Sequence, residues 1–249
     1  MNKLQKFNEM AEFPHVIQAE FNEVFRQDFR LKGGWNKLFF KNENPIVLEL
    51  GCGKGEYAVE LARRFPEKNF IGIDIKGARM HTGASQSFRE GLKNVAFIRT
   101  RIEMVDSFFA TDEIDEIWLT FPDPQMQKRR KRLTSTKFLL LYSKFIKQNG
   151  KIHLKTDSNF MFTYTTALIK ENGFKVLEEY SDIDKQTEDD NLLRSIRTYY
   201  EERFLGHNIP IKYCRFIPDY SRPLIEPEVE IPLDSYHNAG RGVKLYNRP

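Results

Sequence analysis

Cysteine is nearly absent. Cys52 and Cys214 are the only two and stand far apart in the chain, which excludes a disulfide framework and a cysteine-based zinc site and fits a reducing compartment. No apolar run approaches the ~18–20 residues of a membrane span, and Met1–Met10 (MNKLQKFNEM) holds no apolar stretch of the kind a secretory signal needs. The expectation is a soluble cytoplasmic protein with no membrane or metal partner. Charge of one sign is in small excess, 39 Lys+Arg against 35 Asp+Glu for a net +4, so any basic surface must be local. Internal repeats and low-complexity segments are lacking too. The 13% aromatic content, with 21 Phe, excludes a disordered or collagenous chain. A length of 249 residues suits one large domain with appendages.

Residues 1–44 mix charges with scattered aromatics from Phe7 to Trp35 and show no strand-like alternation, which predicts a mobile or helical N-terminal arm. From Pro45 the pattern changes. Ile46–Leu50 is a short apolar run, Gly51–Gly55 (GCGKG) a glycine turn, and Tyr57, Ala58, Leu61, Ala62 and Phe65 then recur at helical spacing. Strand candidates follow at Phe70–Asp74, Val95–Arg99, Ile114–Thr120, Lys151–Thr156, Phe174–Tyr180 and Ile211–Ile217. Helical segments lie at Gly77–Glu90, Phe138–Ile146 and Phe160–Lys170, and Asn149-Gly150 reads as a turn. About seven strands alternating with helices predict a doubly wound, mostly parallel α/β sheet over 45–217. Acids crowd residues 178–190, which reads as a solvated loop. The proline-rich segment 218–249 reads as an extended tail draped on the surface.

The glycine turn sits between the first strand and the first helix, where backbone N–H groups face a ligand and glycine allows its close approach. Asp74 ends the next strand, 23 residues after Gly51, where a carboxylate can accept hydrogen bonds from ribose hydroxyls. The alternative is a turn that merely closes a strand–helix joint, with Asp74 capping the next helix. The spacing is G-x-G-x-G rather than the dinucleotide G-x-G-x-x-G, which disfavours a nicotinamide-dependent oxidoreductase. Glu49 adds an acid beside the turn that suits a cationic ligand such as the sulfonium S-adenosylmethionine, or else pairs with a nearby base such as Lys54.

Phe121-Pro122-Asp123-Pro124 follows the fourth strand at the edge where open α/β sheets bind ligands, although Asp between prolines is also ordinary turn chemistry. Five residues beyond Asp123 begins the unbroken basic run Lys128–Arg132. Such runs are usually solvated faces; at a site mouth one fits a phosphate backbone and so a nucleic-acid substrate.

Taken in order, Val47–Gly55 (VLELGCGKG), Phe70–Asp74 (FIGID), Phe121–Pro124, Lys155-Thr156-Asp157 and Thr198-Tyr199-Tyr200-Glu201 resemble the tRNA (guanine-N7)-methyltransferases of the bacterial single-chain type. Lys32–Trp35 and Arg203–His207 extend the likeness, which runs from about Leu31 to Ile217. The resemblance implies a Rossmann-like methyltransferase sheet with its last strand antiparallel, S-adenosylmethionine as cofactor, tRNA as partner, and a monomer or homodimer. It implies that Glu49, Asp74 and Ile102 contact the methyl donor beside the Gly51 and Gly53 turn, and that Asp123 is the catalytic carboxylate on the donor side. Lys128, Asp157, Thr198 and Glu201 are the implied substrate-binding residues. The sequence departs from the family at Thr100-Arg101-Ile102-Glu103, where many members carry an acid, and after Pro124, where the segment is short and Lys128 is the nearest substrate-contacting lysine.

The implied reaction is transfer of a methyl group to N7 of a guanine, in the variable loop by resemblance. N7 carries a lone pair in the neutral base, so no prior deprotonation is required, and no Ser-His-Asp or Cys-His arrangement is evident. His153 reads as a strand residue. Two alternatives stand beside it: a methyltransferase with another substrate, and a tRNA-binding module without turnover.

Overall fold

The computed structural model describes residues 1–185, 192–198, 201 and 209–234. Tyr199, Tyr200, Arg203–His207, the acids Glu188, Asp189 and Asp190, and residues 235–249 lie outside the described residues.

The chain begins with α1 (Lys3–Ala11), β1 (Val16–Ile17) and α2 (Phe21–Val24). Then come β2 (Ile46–Leu50), α3 (Glu56–Arg64), β3 (Asn69–Asp74), α4 (Gly77–Glu90), β4 (Val95–Arg99) and β5 (Ile114–Thr120). The second half holds α5 (Thr136–Tyr142), β6 (Ile146–Thr156), α6 (Asn159–Asn172), β7 (Lys175–Tyr180), α7 (Leu192–Ser195) and β8 (Lys212–Ile217). One sheet of eight strands runs in the order β1-β4-β3-β2-β5-β6-β8-β7. Strands β1 to β6 pair in parallel, and β8 is antiparallel to both β6 and β7. The order reverses between β2 and β5, and the crevice at such a switch point is where open α/β sheets take ligands.

Alternation along the strands sorts their side chains into two cores. In β2, Ile46, Leu48 and Leu50 face α5 and α6, whereas Val47 faces α3 and α4. The first core also buries Trp35 completely, with its indole N–H bonded to Phe108 O at 2.9 Å. The second buries Met10 of α1. The arm is therefore packed into the fold, not mobile. It also contributes a strand that alternation could not reveal, because β1 is two residues long and is fixed by pairing Val16 with Phe97 and Ile17 with Ile98.

A second difference lies at Asn149-Gly150. The strand starts at Ile146 rather than Lys151 and carries Asn149 at φ +65 within it, while the preceding helix ends at Tyr142. The ladder to β5 absorbs the turn as an irregularity between Ile114 and Glu116. From Pro218 to Asp234 the tail is free of regular structure and lies against α5 and α6 through Glu226 and Asp234. Among the described residues no helix is long and apolar enough to cross a membrane, and no cluster of three or more His, Cys, Asp or Glu could hold a metal ion.

Candidate active site

The carboxyl ends of β2 to β6 lie on one edge, and the sequence candidates gather there. Leu50 of β2 leads into the glycine turn, with Gly51 at φ +82. A Cβ added at Gly51 would meet nothing within 4 Å, so the turn opens onto free space. On its other side the turn is tight, since a Cβ at Gly83 of α4 would come within 2.6 Å of Lys54 O. The packing of α4 against the turn thus holds its backbone in place while one face stays accessible.

Asp74, half-buried at the end of β3, accepts the Gly53 N–H at 2.9 Å through Oδ2 and the Lys76 N–H at 2.7 Å through Oδ1. It braces the glycine turn and the entry to α4, and each oxygen keeps a second lone pair for a hydroxyl. Glu49 lies one residue before the end of β2, beside Trp118 of β5 in the ladder and thus at the switch point. Its carboxyl accepts the Thr120 hydroxyl at 2.6 Å and the Ala58 N–H at 3.0 Å. Burial pushes its pKa up to about 8, against the pull of those two hydrogen bonds. A buried acid beside an open glycine turn fits a cationic group. Gly51, Glu49 and Asp74 together fit S-adenosylmethionine, which has a sulfonium and a ribose. Ile102 opens the short 3₁₀ turn Ile102–Ser107 after β4 and packs half-buried on the first core; Arg101 before it is exposed.

Asp123 is exposed at the end of β5, framed by the buried rings of Pro122 and Pro124. Phe121 at φ +48 and Gln125 at φ +46 bracket the loop. Non-glycine residues in this region cost about 1–3 kcal/mol each, which marks a conformation imposed by its surroundings. The loop is held by the Phe121 N–H to Lys155 O at 2.8 Å and the Gln125 N–H to Asp123 Oδ1 at 3.1 Å. Asp157 follows directly on β6, adjacent to β5, and is buried.

Glu201 and Thr198 bond reciprocally, Thr198 N–H to Oε2 at 3.3 Å and Glu201 N–H to Thr198 Oγ1 at 3.1 Å, a capping-box arrangement. Glu201 also forms a buried ion pair with Lys155 at 2.9 Å. The Lys155 ammonium further donates to Leu193 O at 2.6 Å and Ile196 O at 3.1 Å and lies 5.6 Å from the Phe121 ring centroid. Burial lowers the Lys155 pKa and raises that of Glu201, each partly restored by the other. Lys155 thus ties the segment bearing Thr198 and Glu201 to the strand end that holds the Asp123 loop.

The sequence motif includes Lys155 but gives it no role of its own, and Thr120 is passed over. For Lys155 the available signal was a lysine inside the apolar run of β6; for Thr120, a hydroxyl closing the apolar run of β5. The basic run also divides. Lys128, Arg129, Arg130 and Lys131 are exposed, whereas Arg132 is buried, its guanidinium 4.6 Å from the Phe160 ring and 4.4 Å from the Tyr164 ring. Arg132 therefore belongs to the scaffold and not to the solvated cationic face.

Comparison with known proteins places this geometry. A family profile described as a putative methyltransferase matches residues 43–214. The tRNA (guanine-N(7)-)-methyltransferase of Bacteroides fragilis is 55% identical over 240 residues, which cover 96% of this chain and 95% of that one. The protein of the same name from Porphyromonas gingivalis is 53% identical over 235 residues, covering 93% and 96%. Among solved structures, the 16S rRNA methyltransferase KamB is similar with a TM-score of 0.58 at 13% identity, over 74% of this chain and 92% of that one. A 16S rRNA adenine methyltransferase from Catenulisporales acidiphilia, determined with cosubstrate SAM, gives 0.55 at 17% identity over 77% and 93%. At such identities the likeness is one of fold.

Proposed function

Because the chain belongs to the tRNA (guanine-N(7)-)-methyltransferase family, we propose that it transfers a methyl group from S-adenosylmethionine to N7 of a guanine in tRNA, in the variable loop. The observation that carries the reading is the meeting of the glycine turn, Glu49, Asp74 and the Phe121–Pro124 loop at one carboxyl edge. The sulfonium supplies an electrophilic methyl group. The N7 lone pair forms the new C–N bond as the C–S⁺ bond breaks, the sulfur leaves neutral, and the positive charge passes to the purine.

In this reading Glu49 holds the cationic part of the donor, Asp74 its ribose, and Ile102 packs beside the adenine. Asp123, on its constrained loop, faces the charge that arrives on the purine; a preorganised carboxylate there needs little reorganisation. Positioning carries the rest, and well-oriented reactants gain about 7–11 kcal/mol through proximity. Lys128 and its exposed neighbours contact phosphate. Asp157 accepts the N–H donors of the guanine edge, and Thr198 and Glu201 complete the substrate side from the segment that Lys155 anchors. The protein works in the cytoplasm, as a monomer or homodimer. The test is a tRNA transcript carrying 7-deazaguanosine in place of guanosine, which lacks the attacking nitrogen. It should take up no label from methyl-labelled donor while the ordinary transcript does; equal labelling overturns the assignment.

A further inference from the structure

The tail beyond Pro218 takes no part in the chemistry above, yet it is fastened to two elements of the substrate side. Asp234 is only 6% exposed. Its carboxylate accepts the Ser158 hydroxyl and, at 3.0 Å, the Phe160 N–H. It thus sits at the N-terminal turn of α6, the turn that follows Asp157, where a negative charge is favoured. Its own N–H points to Met126 Sδ at 3.3 Å, inside the loop that leads from Asp123 to the exposed cations.

The same loop is gripped from beneath. Arg132 donates to Met126 O at 2.8 Å and Gln125 O at 3.3 Å, with its guanidinium between the rings of Phe160 and Tyr164. The Tyr164 hydroxyl donates to Glu226 of the tail at 2.6 Å, and Glu226 also accepts the Thr136 hydroxyl at 2.7 Å. The tail, the underside of the loop and the start of α6 therefore form one connected network.

Lys128, Arg129, Arg130 and Lys131 are all exposed like charges with no apolar anchor of their own. Ordering such a segment at the moment of binding costs conformational entropy, and that loss comes straight out of affinity. We infer that Asp234 and Arg132 are positioning residues for the nucleic-acid substrate: residues 226–234 act as a strap that holds the Lys128–Lys131 segment in its binding arrangement. The inference rests on the proposed tRNA reading for the identity of the substrate.

The test measures tRNA and donor dissociation constants separately, so that it does not depend on turnover. Asp234→Ala should weaken tRNA binding at least fivefold and leave S-adenosylmethionine binding within twofold. In a background with Lys128, Arg129, Arg130 and Lys131 changed to Ala, the same substitution should change tRNA affinity less than twofold, because the strap acts through that segment. The isosteric Asp234→Asn serves as the second variant if the alanine form melts below the assay temperature. Unaltered tRNA affinity in the folded variant, or a full fivefold loss that persists in the neutralised background, overturns the inference. Wild-type protein that binds tRNA but forms no 7-methylguanosine would instead defeat the functional reading, and the binding cycle would still decide the role of the strap.

Discussion

Thr120 at the end of β5 donates its hydroxyl to Glu49 of β2 at 2.6 Å, across the two strands between which the sheet order reverses. With the Ala58 N–H of α3 on the other oxygen, the bond fixes the buried carboxyl in place and opposes the burial that raises its pKa to about 8.

Donor affinity should depend on this acid. Glu49 is largely protonated at neutral pH in the free protein, and a bound cation favours its ionised form. Binding therefore releases a proton, and affinity weakens as pH falls below about 8, by at most tenfold per pH unit. Titration calorimetry should find S-adenosylmethionine binding several-fold weaker at pH 6.5 than at pH 8.5. The dependence should flatten in Glu49→Gln, and a pH-independent constant in the wild type would remove Glu49 from the donor site.

Four exposed cations, not five, should set the salt dependence of tRNA binding. Changing Lys128, Arg129, Arg130 and Lys131 to Ala should make the slope of log affinity against log salt shallower by about one for each residue that contacts a phosphate. An unchanged slope would show that the loop does not reach the backbone. Arg132→Ala should leave that slope unchanged while it lowers the melting temperature and weakens tRNA binding through the loop, since its charge is buried against two aromatic rings.

Lys155→Met leaves Glu201 buried without its partner. Breaking a buried pair in this way costs about 3–5 kcal/mol, whereas the double substitution Lys155→Met with Glu201→Leu should recover most of the loss. Thermal unfolding distinguishes the two; equal destabilisation by the single and double variants would mean that the ion pair is not what holds the segment.

Acid sensitivity should come from His153, on the same face of the sheet as Lys155. His153 stacks on Trp118 at 4.1 Å, bonds the Tyr213 hydroxyl at 2.7 Å and lies 3.3 Å from Glu116, with Lys68 also on Glu116. Burial pushes its pKa down to about 4, so as pH falls the unfolded chain binds the proton first, and stability is lost between about pH 6.5 and 4. The loss from pH 7 to pH 5 should be about 2 kcal/mol. It should shrink in His153→Phe, and an unchanged acid sensitivity in that variant would place the cause elsewhere.

What the sequence made legible was local in the chain. Gly51–Gly55 and Phe121–Pro124 each begin one residue after a strand, and Asp74 ends one, so finding the strands found them. What it hid depends on partners far away. Val16–Ile17 becomes a strand only because β4 offers a free edge, and two residues carry no periodicity. Asn149-Gly150 looked like a turn, but it lies inside β6, at an irregularity that the ladder to β5 absorbs. Within Lys128–Arg132 nothing in the run itself says which residue will lie under the rings of α6. The ion pair of Glu201 was hidden because its partner, Lys155, stands 46 positions earlier.

The most direct test of the central claim is to incubate the protein with an unmodified tRNA transcript and methyl-labelled S-adenosylmethionine, digest to nucleosides and identify the labelled one. Label should appear in 7-methylguanosine and be lost in Asp123→Asn while tRNA affinity stays within a few-fold. Label in another nucleoside, or full 7-methylguanosine formation by Asp123→Asn, would contradict that claim.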